Sequence, residues 1–236
     1  MNLILLHADE LLSGNRVTLC DARFLHIRDV LRAGEGDSVK VGIVNGARGI
    51  AQITTLAKDH VELQYHCAEA PPAKLPLTVI LALPRPKAAR RLCRTIAELG
   101  AQKLILLNSY RVEKSYWQSP LLEPDKLHNY FIQGLQQAGD TTLPDIQIEK
   151  RFKPFVEDRL PEIARNTRAL VAHPYGETTS HKSQCMPTVL AIGPEGGFIP
   201  YEIEKLNAAG LQTVQIGERI LTTETAVPVL IAKLFD

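Results

Sequence analysis

The run Val189-Leu190-Ala191-Ile192-Gly193-Pro194-Glu195-Gly196-Gly197-Phe198 constrains the fold of this chain more than any other stretch. Its apolar residues read as a buried strand, and the strand ends in a glycine-rich loop that opens into a helix. Pro200 suits a first helical position. Glu202 and Glu204 fall in the first turn, where the helix dipole favours negative charge. Glycine has no Cβ, so the loop backbone can approach a ligand closely. In α/β sheets ligands gather at the carboxyl ends of strands, which is where this loop lies. A second junction of the same kind follows at Val214-Gln215-Ile216-Gly217-Glu218-Arg219-Ile220-Leu221. Two such loops near the C-terminus place the expected site there, although Gly193–Gly197 alone is also readable as a tight structural turn.

The chain divides near position 70. Residues 1–70 read as a small β-barrel, with strands expected at 3–6, 16–19, 38–44, 49–56 and 60–66. One helix, at about 22–32, interrupts them. Its Phe24, Ile27, Val30 and Leu31 are spaced for one apolar face, and Gly34 is the expected stop. Residues 71–76 hold three of the chain's prolines and read as a stiff linker. From 77 to 236 strands and helices alternate. Strands are expected at 77–83, 103–107, 169–172, 189–192 and 213–216. Helices are expected at 86–99, 124–138, 200–209 and 223–234. Such alternation implies an α/β domain with a mostly parallel sheet covered on both faces.

Several chemistries are excluded by absence. No apolar run approaches the ~20 residues that span a bilayer, and residues 1–6 are too short, and lack the basic region, for a signal peptide. The cytoplasm is the expected compartment. Cys20, Cys67, Cys93 and Cys185 form no C-x-x-C pair and read as buried free thiols. The seven histidines show no metal-ligand spacing, so no metal is expected. G-x-G-x-x-G, the P-loop, G-x-S-x-G and H-E-x-x-H are all missing. The net charge of +1 neither marks nor excludes a nucleic-acid partner, because a local patch is sufficient. Arg85, Lys87, Arg90, Arg91 and Arg94 are the densest basic cluster, and 87, 90, 91 and 94 share one helical face. Two readings stand: a solvated face, or a surface that tracks phosphates. His26, Arg28 and Arg32, with Arg48 nearby, give the first domain a basic surface too. Two such surfaces favour a polyanion over a small metabolite.

Taken together these residues resemble the small-subunit (16S) ribosomal RNA uridine-N3 methyltransferases of the SPOUT superfamily, nearly end to end. His26-Ile27-Arg28-Asp29-Val30-Leu31-Arg32 with Gly36-Asp37 looks like the signature of that family's PUA-like RNA-binding barrel. Lys87, Glu98-Leu99-Gly100 and Arg111 follow the family order. Ile192–Phe198 with Glu202 is the most specific motif, and Gly217-x-Arg219-Ile220-Leu221-x-x-Glu224-Thr225 is the second. The resemblance implies a deep trefoil knot in the C-terminal domain, S-adenosyl-L-methionine as cofactor, ribosomal RNA or the small subunit as partner, and a homodimer with the site near its interface. It implies that Gly193, Pro194, Glu195, Gly196 and Gly197 form one cofactor loop and Ile216, Gly217, Ile220 and Leu221 another, with His173 in a third. Lys87, Arg91 and Arg111, with His26, Arg28, Arg32 and Arg48, are then expected to meet RNA. Arg219 is expected to orient the RNA or stabilise charge. Glu224 is expected to orient Arg219 or help remove the N3 proton, unless it serves only as a helix N-terminal carboxylate.

Three positions that are basic in the family are Thr95, Asp140 and Thr222 here, and Pro228 enters the last helix. They suggest a divergent paralogue that keeps cofactor binding and alters its RNA target. The other class of reading is a non-catalytic RNA-binding or ribosome-assembly protein that keeps the fold as scaffold.

Overall fold

The computed structural model describes residues 2–178 and 186–235, so His181 and Cys185 lie outside the described residues. Two compact units are present, Met1–Ala73 with Ile132–Leu143, and Lys74–Phe131 with Pro144–Asp236.

In the first unit β1 (Ile4–Leu6), β2 (Arg16–Leu19), β3 (Ser38–Ile43), β4 (Arg48–Leu56) and β5 (Val61–Glu69) form one sheet in the order β1-β3-β4-β5-β2. Each strand sends alternate residues inward: Ile4 and Leu6, Val17 and Leu19, Val39 and Val41, Ala51 and Ile53, Val61 and Leu63. This is the period of two that a pleated strand imposes. The strands wrap one core, with β1 and β2 as the two edges. Helix α1 (Ala22–Leu25) continues into a π-helical turn, His26–Leu31. Phe24 and Ile27 are buried, but Val30 and Leu31 are 65% and 45% exposed, against the expected single apolar face. The wider π turn advances the register after Ile27 and swings both residues outward. The stop is Arg32, in the left-handed region at φ 53°, rather than Gly34.

The second unit holds a six-stranded parallel sheet in the order β11-β9-β10-β6-β7-β8. In chain order its elements are β6 (Leu75–Ala82), α2 (Pro86–Glu98), β7 (Ala101–Leu107), α3 (Pro124–Ala138) and β8 (Asp145–Glu149). Next come α4 (Phe152–Pro154), α5 (Leu160–Ala164), β9 (Arg168–Thr178), β10 (Thr188–Ile192), α6 (Pro200–Ala208), β11 (Gln212–Gln215) and α7 (Thr223–Leu234). The central strands are apolar throughout because helices cover both faces; all five residues of β10 are buried. The chain runs outward through β6, β7 and β8, returns past β6 to β9, steps inward to β10 beside β6, and ends at the opposite edge with β11. Strand order therefore reverses between β6 and β10, the kind of switch point where crevices open at carboxyl ends. Strand β8 and the helical stretch from 152 to 164 were not expected from sequence. Among the described residues no helix is long and apolar enough to cross a membrane. Cys93 is buried and Cys67 half-buried, but Cys20 is exposed, against the expectation that all the thiols are buried.

The end of α3 and the loop after it group with the first unit, although the linear division puts them in the second domain. The backbone N–H groups of Asn2 and Leu3 both donate to the Gln136 carbonyl at 3.0 Å. Gly139 ends α3 at φ 72°, and the Asp140 N–H reaches back to the Leu135 carbonyl at 3.0 Å, a Schellman closure. The Asp140 carboxylate is buried and accepts from the N–H groups of Thr141 (2.6 Å) and Thr142 (2.9 Å). Where the resemblance leads to the expectation of a cation, this chain therefore has a buried turn-forming carboxylate.

Candidate functional site

The segments that follow β10 and β11, with a bulge inside β9, form the walls of a cavity of about 340 Å³. After β10, the Gly197 N–H donates to the Pro194 carbonyl at 2.8 Å, folding residues 194–197 into a tight turn. A Cβ on Gly193 would lie 3.0 Å from the Phe198 nitrogen and 3.1 Å from the Gly197 Cα, so the loop closes this tightly only with glycine there. Phe198 is buried beneath it. Glu202, in the first turn of α6, is also buried. Its carboxylate accepts from the Ile199 N–H (3.0 Å) and the Tyr110 N–H (2.7 Å). It thereby ties the start of α6 to the loop after β7. From that loop Arg111 donates to the Gly196 carbonyl. Glu195 accepts from the Arg85 N–H at 3.0 Å.

After β11, residues 216–221 form the opposite wall. Thr222 caps α7 by accepting from the Thr225 N–H at 3.3 Å. The Thr223 hydroxyl donates to the Gly193 carbonyl at 3.3 Å, joining the two loops in a buried contact. Lys233 donates to the Ile216 carbonyl at 2.9 Å. The third wall is a bulge in β9. Thr213 pairs with Val171, but the next residue, Val214, pairs with Glu177, so residues 172–176 leave the ladder. Gly176 lets the bulge close, because a Cβ there would lie 2.7 Å from the backbone of Val214. His173, Pro174 and Tyr175 face the cavity. Burial pushes the His173 imidazole below its usual pKa of 6.5 and keeps it neutral at neutral pH.

All ten residues expected in the cofactor loops line this one cavity: His173; Gly193, Pro194, Glu195, Gly196 and Gly197; Ile216, Gly217, Ile220 and Leu221. Arg219 lines it too, exposed at the mouth, with no hydrogen-bond partner among the described residues. Glu224 does not orient Arg219. It pairs with Arg91 (3.1 Å) and Arg85 (3.4 Å), and chiefly the Arg91 hydrogen bond holds its carboxyl below the usual 4.5. A carboxylate held in that state is a poor proton acceptor.

The cations expected to meet RNA fall into two groups. Lys87, Arg90 and Arg94 are exposed on α2, opposite the buried Ala89, Cys93 and Ile96. Arg91 and Arg111 instead serve the site as ion-pair partner and loop brace. In the first unit Arg32 is exposed. Arg28 bonds Asp29 at 2.7 Å and lies over the Phe24 ring at 4.9 Å. Arg48 donates to the Gly139 carbonyl at 3.2 Å. His26 is half-buried, and its Nε2 has no partner among the described residues. Thr223 and Tyr175 were not expected at the site. Thr223 follows a legible N-cap, whereas nothing in the sequence marks Tyr175.

Among the described residues no cysteine or serine lines the cavity, and the one carboxylate, Glu195, is engaged by Arg85. Walls of backbone, small and apolar side chains suit a ligand with both polar and apolar parts, and direct transfer rather than a covalent enzyme intermediate. Among the described residues no three His, Cys, Asp or Glu cluster as a metal site.

Comparison with known proteins identifies relatives. The profile described as RNA methyltransferase domain matches residues 71–234, and that described as RNA methyltransferase PUA domain matches 19–64. A ribosomal RNA small subunit methyltransferase E from Treponema pallidum is 32% identical over 232 residues, 96% of this chain and 87% of that protein. One from Synechocystis is 30% identical, covering 92% of this chain and 72% of its own. A solved structure of a ribosomal RNA small subunit methyltransferase E from Neisseria gonorrhoeae, bound to S-adenosyl methionine, superposes with a TM-score of 0.75. It covers 98% of this chain and 95% of its own at 21% identity, which establishes the shared fold.

Proposed function

The chain belongs to the ribosomal RNA small subunit methyltransferase E family, and we propose on that premise that it methylates N3 of a uridine in 16S ribosomal RNA, with S-adenosylmethionine as donor. The observation that carries this reading is the convergence of three loops on one cavity that holds every residue expected to touch the cofactor. The residues fit the donor. Gly193 and Gly176 bring backbone where a Cβ would intrude, Ile216, Ile220 and Leu221 offer an apolar wall, and loop carbonyls and N–H groups offer polar partners. When bound, S-adenosylmethionine supplies an electrophilic methyl group on a sulfonium.

The protein's task is then alignment and charge stabilisation. Arg219, exposed on the cavity lining, stabilises the uracil anion that forms as N3 loses its proton. A guanidinium beside the base favours that anion, so the proton leaves to water at the open mouth. Glu224 holds Arg91 and Arg85 in place and takes no part in the proton transfer. Lys87, Arg90 and Arg94 on α2, and Arg32 in the first unit, contact phosphates. A base paired in a helix is flipped out first.

The trefoil knot belongs to this proposal. It is supported by β11 lying at the sheet edge beyond β9 while α7 returns to pack on α2 and β10. A homodimer with the site near its interface, and a cytoplasmic home, complete it. The test is incubation with labelled S-adenosylmethionine and unmodified small subunits or 16S RNA, followed by nucleoside mass spectrometry. N3-methyluridine supports the reading. Saturable cofactor binding without transfer to any RNA favours the scaffold alternative.

A further inference from the structure

We propose that the ring of Tyr175 is the platform on which the target uracil stacks, an inference that rests on reading this cavity as a methyltransferase centre. Tyr175 lines the cavity and yet is 86% exposed. A large ring left in water at the mouth of a site offers a face to a ligand. The ring is also held there. On one side, Ala172 is the last β9 residue in register with β10, opposite Ile192. On the other, Gly176 closes against the Val214 backbone. Pro174 stiffens the bulge between them. The Tyr175 N–H reaches His173 Nδ1 at 3.4 Å, and the two rings meet at 5.6 Å and 57°.

Next to this bulge is the loop that carries Arg219. Gln215, the last residue of β11, pairs with Thr178, and the chain then runs through Arg219 to Ile220, which is 77% exposed. The cavity lining thus presents an aromatic face, an apolar edge and a guanidinium with no hydrogen-bond partner among the described residues. A flat base with a developing negative charge matches that set. Unpaired bases are held by stacking on tyrosine rings, and a flipped base is gripped in this way. Stacking on Tyr175 and charge stabilisation by Arg219 together would orient the uracil edge that receives the methyl group.

The experiment compares wild type, Tyr175→Ala and Tyr175→Phe in three measurements. These are S-adenosylhomocysteine affinity by titration, kcat and KM for unmodified small-subunit RNA, and crosslinking of RNA carrying 5-iodouridine, mapped by mass spectrometry. Stacking predicts that the alanine variant loses about tenfold or more in kcat/KM for RNA. Cofactor affinity stays within about twofold, a split that a merely structural role would not give, and the phenylalanine variant retains most activity. The crosslink in wild type maps to Tyr175. Unchanged kcat/KM in Tyr175→Ala overturns the proposal. So does a parallel loss of cofactor affinity, which would assign the ring to the cofactor, or a change of oligomeric state, which would assign it to a subunit interface. If wild type methylates no RNA, the methyltransferase reading fails separately. The crosslink then decides: at Tyr175 it sustains base stacking, and elsewhere or absent it overturns it.

Discussion

Glu202→Ala should both destabilise the second unit and loosen the cofactor loop. The Glu202 carboxylate is buried and accepts two backbone N–H groups, from Tyr110 at 2.7 Å and Ile199 at 3.0 Å. Alanine leaves both part-buried donors without this acceptor. Each orphaned donor costs about 1–3 kcal/mol, and partial access to water puts both at the low end, so the expected loss is about 2 kcal/mol. For a chain of this size that corresponds to about 4–8 °C in Tm. Glu202→Gln keeps one acceptor oxygen and should lose about half as much. The same substitution frees the loop from which Arg111 braces the Gly196 carbonyl. S-adenosylhomocysteine affinity should therefore fall by about tenfold, in line with one lost charge-assisted contact. The assays are thermal and urea unfolding followed by circular dichroism, with titration of the folded variant. An alanine variant as stable as wild type would refute the reasoning, because the buried carboxylate would then hold neither backbone donor to any effect.

Arg219→Ala should cut turnover about a hundredfold while cofactor affinity stays within about twofold, as expected for a group that acts mainly as charge develops; steady-state kinetics with unmodified small subunits check this. For Glu224 the ion pair lowers the folded-state pKa below 4.5, so its stabilisation is present above that value and lost as pH falls through the lowered one. Glu224→Gln should therefore be less stable than wild type at neutral pH and low salt. The difference should vanish as pH falls below 4.5 or salt rises, measured by urea unfolding across pH. Asp140→Arg introduces the cation that the resemblance leads one to expect, yet it should destabilise by about 2–5 kcal/mol, since it removes a buried acceptor of two N–H groups and buries a charge. Urea unfolding tests it, and a neutral result would mean the turn does not depend on this carboxylate.

Where the sequence was read well, local signals were strong. The expected helices at 124–138 and 223–234 match α3 and α7, because proline or a threonine cap opens each and the periodicity carries through. The glycine loop was legible because a Cβ at Gly193 would press to 3.0–3.1 Å from the loop backbone. Failures came where distant contacts decide. Strand β8, Asp-Ile-Gln-Ile-Glu, is an edge strand with half-exposed isoleucines, and its charged ends mask the alternation. The stretch from 152 to 164 is broken by Pro154 and Pro161 into turns too short to show a period. A π turn follows no 3.6-residue rule, so Val30 and Leu31 were assigned to the wrong face. The bulge that presents Tyr175 exists only in the pairing of β9 with β11. The partners of Glu224, Arg91 and Arg85, are more than a hundred residues away in sequence. The residues that line the cavity were thus largely readable, while the residues that position them were not.

The most direct test of this account is a titration of S-adenosylhomocysteine into the wild-type protein and into Gly193→Ala. A Cβ at Gly193 meets the backbone of Gly197 and Phe198, so it opens the cofactor loop while leaving the apolar β10 strand beneath it intact. The account predicts saturable binding of one ligand per chain in wild type, and at least a tenfold weaker signal in a variant with an unchanged circular dichroism spectrum. Wild type that shows no saturable binding at millimolar ligand, or a variant that binds as well as wild type, would contradict the assignment of this cavity to the methyl donor.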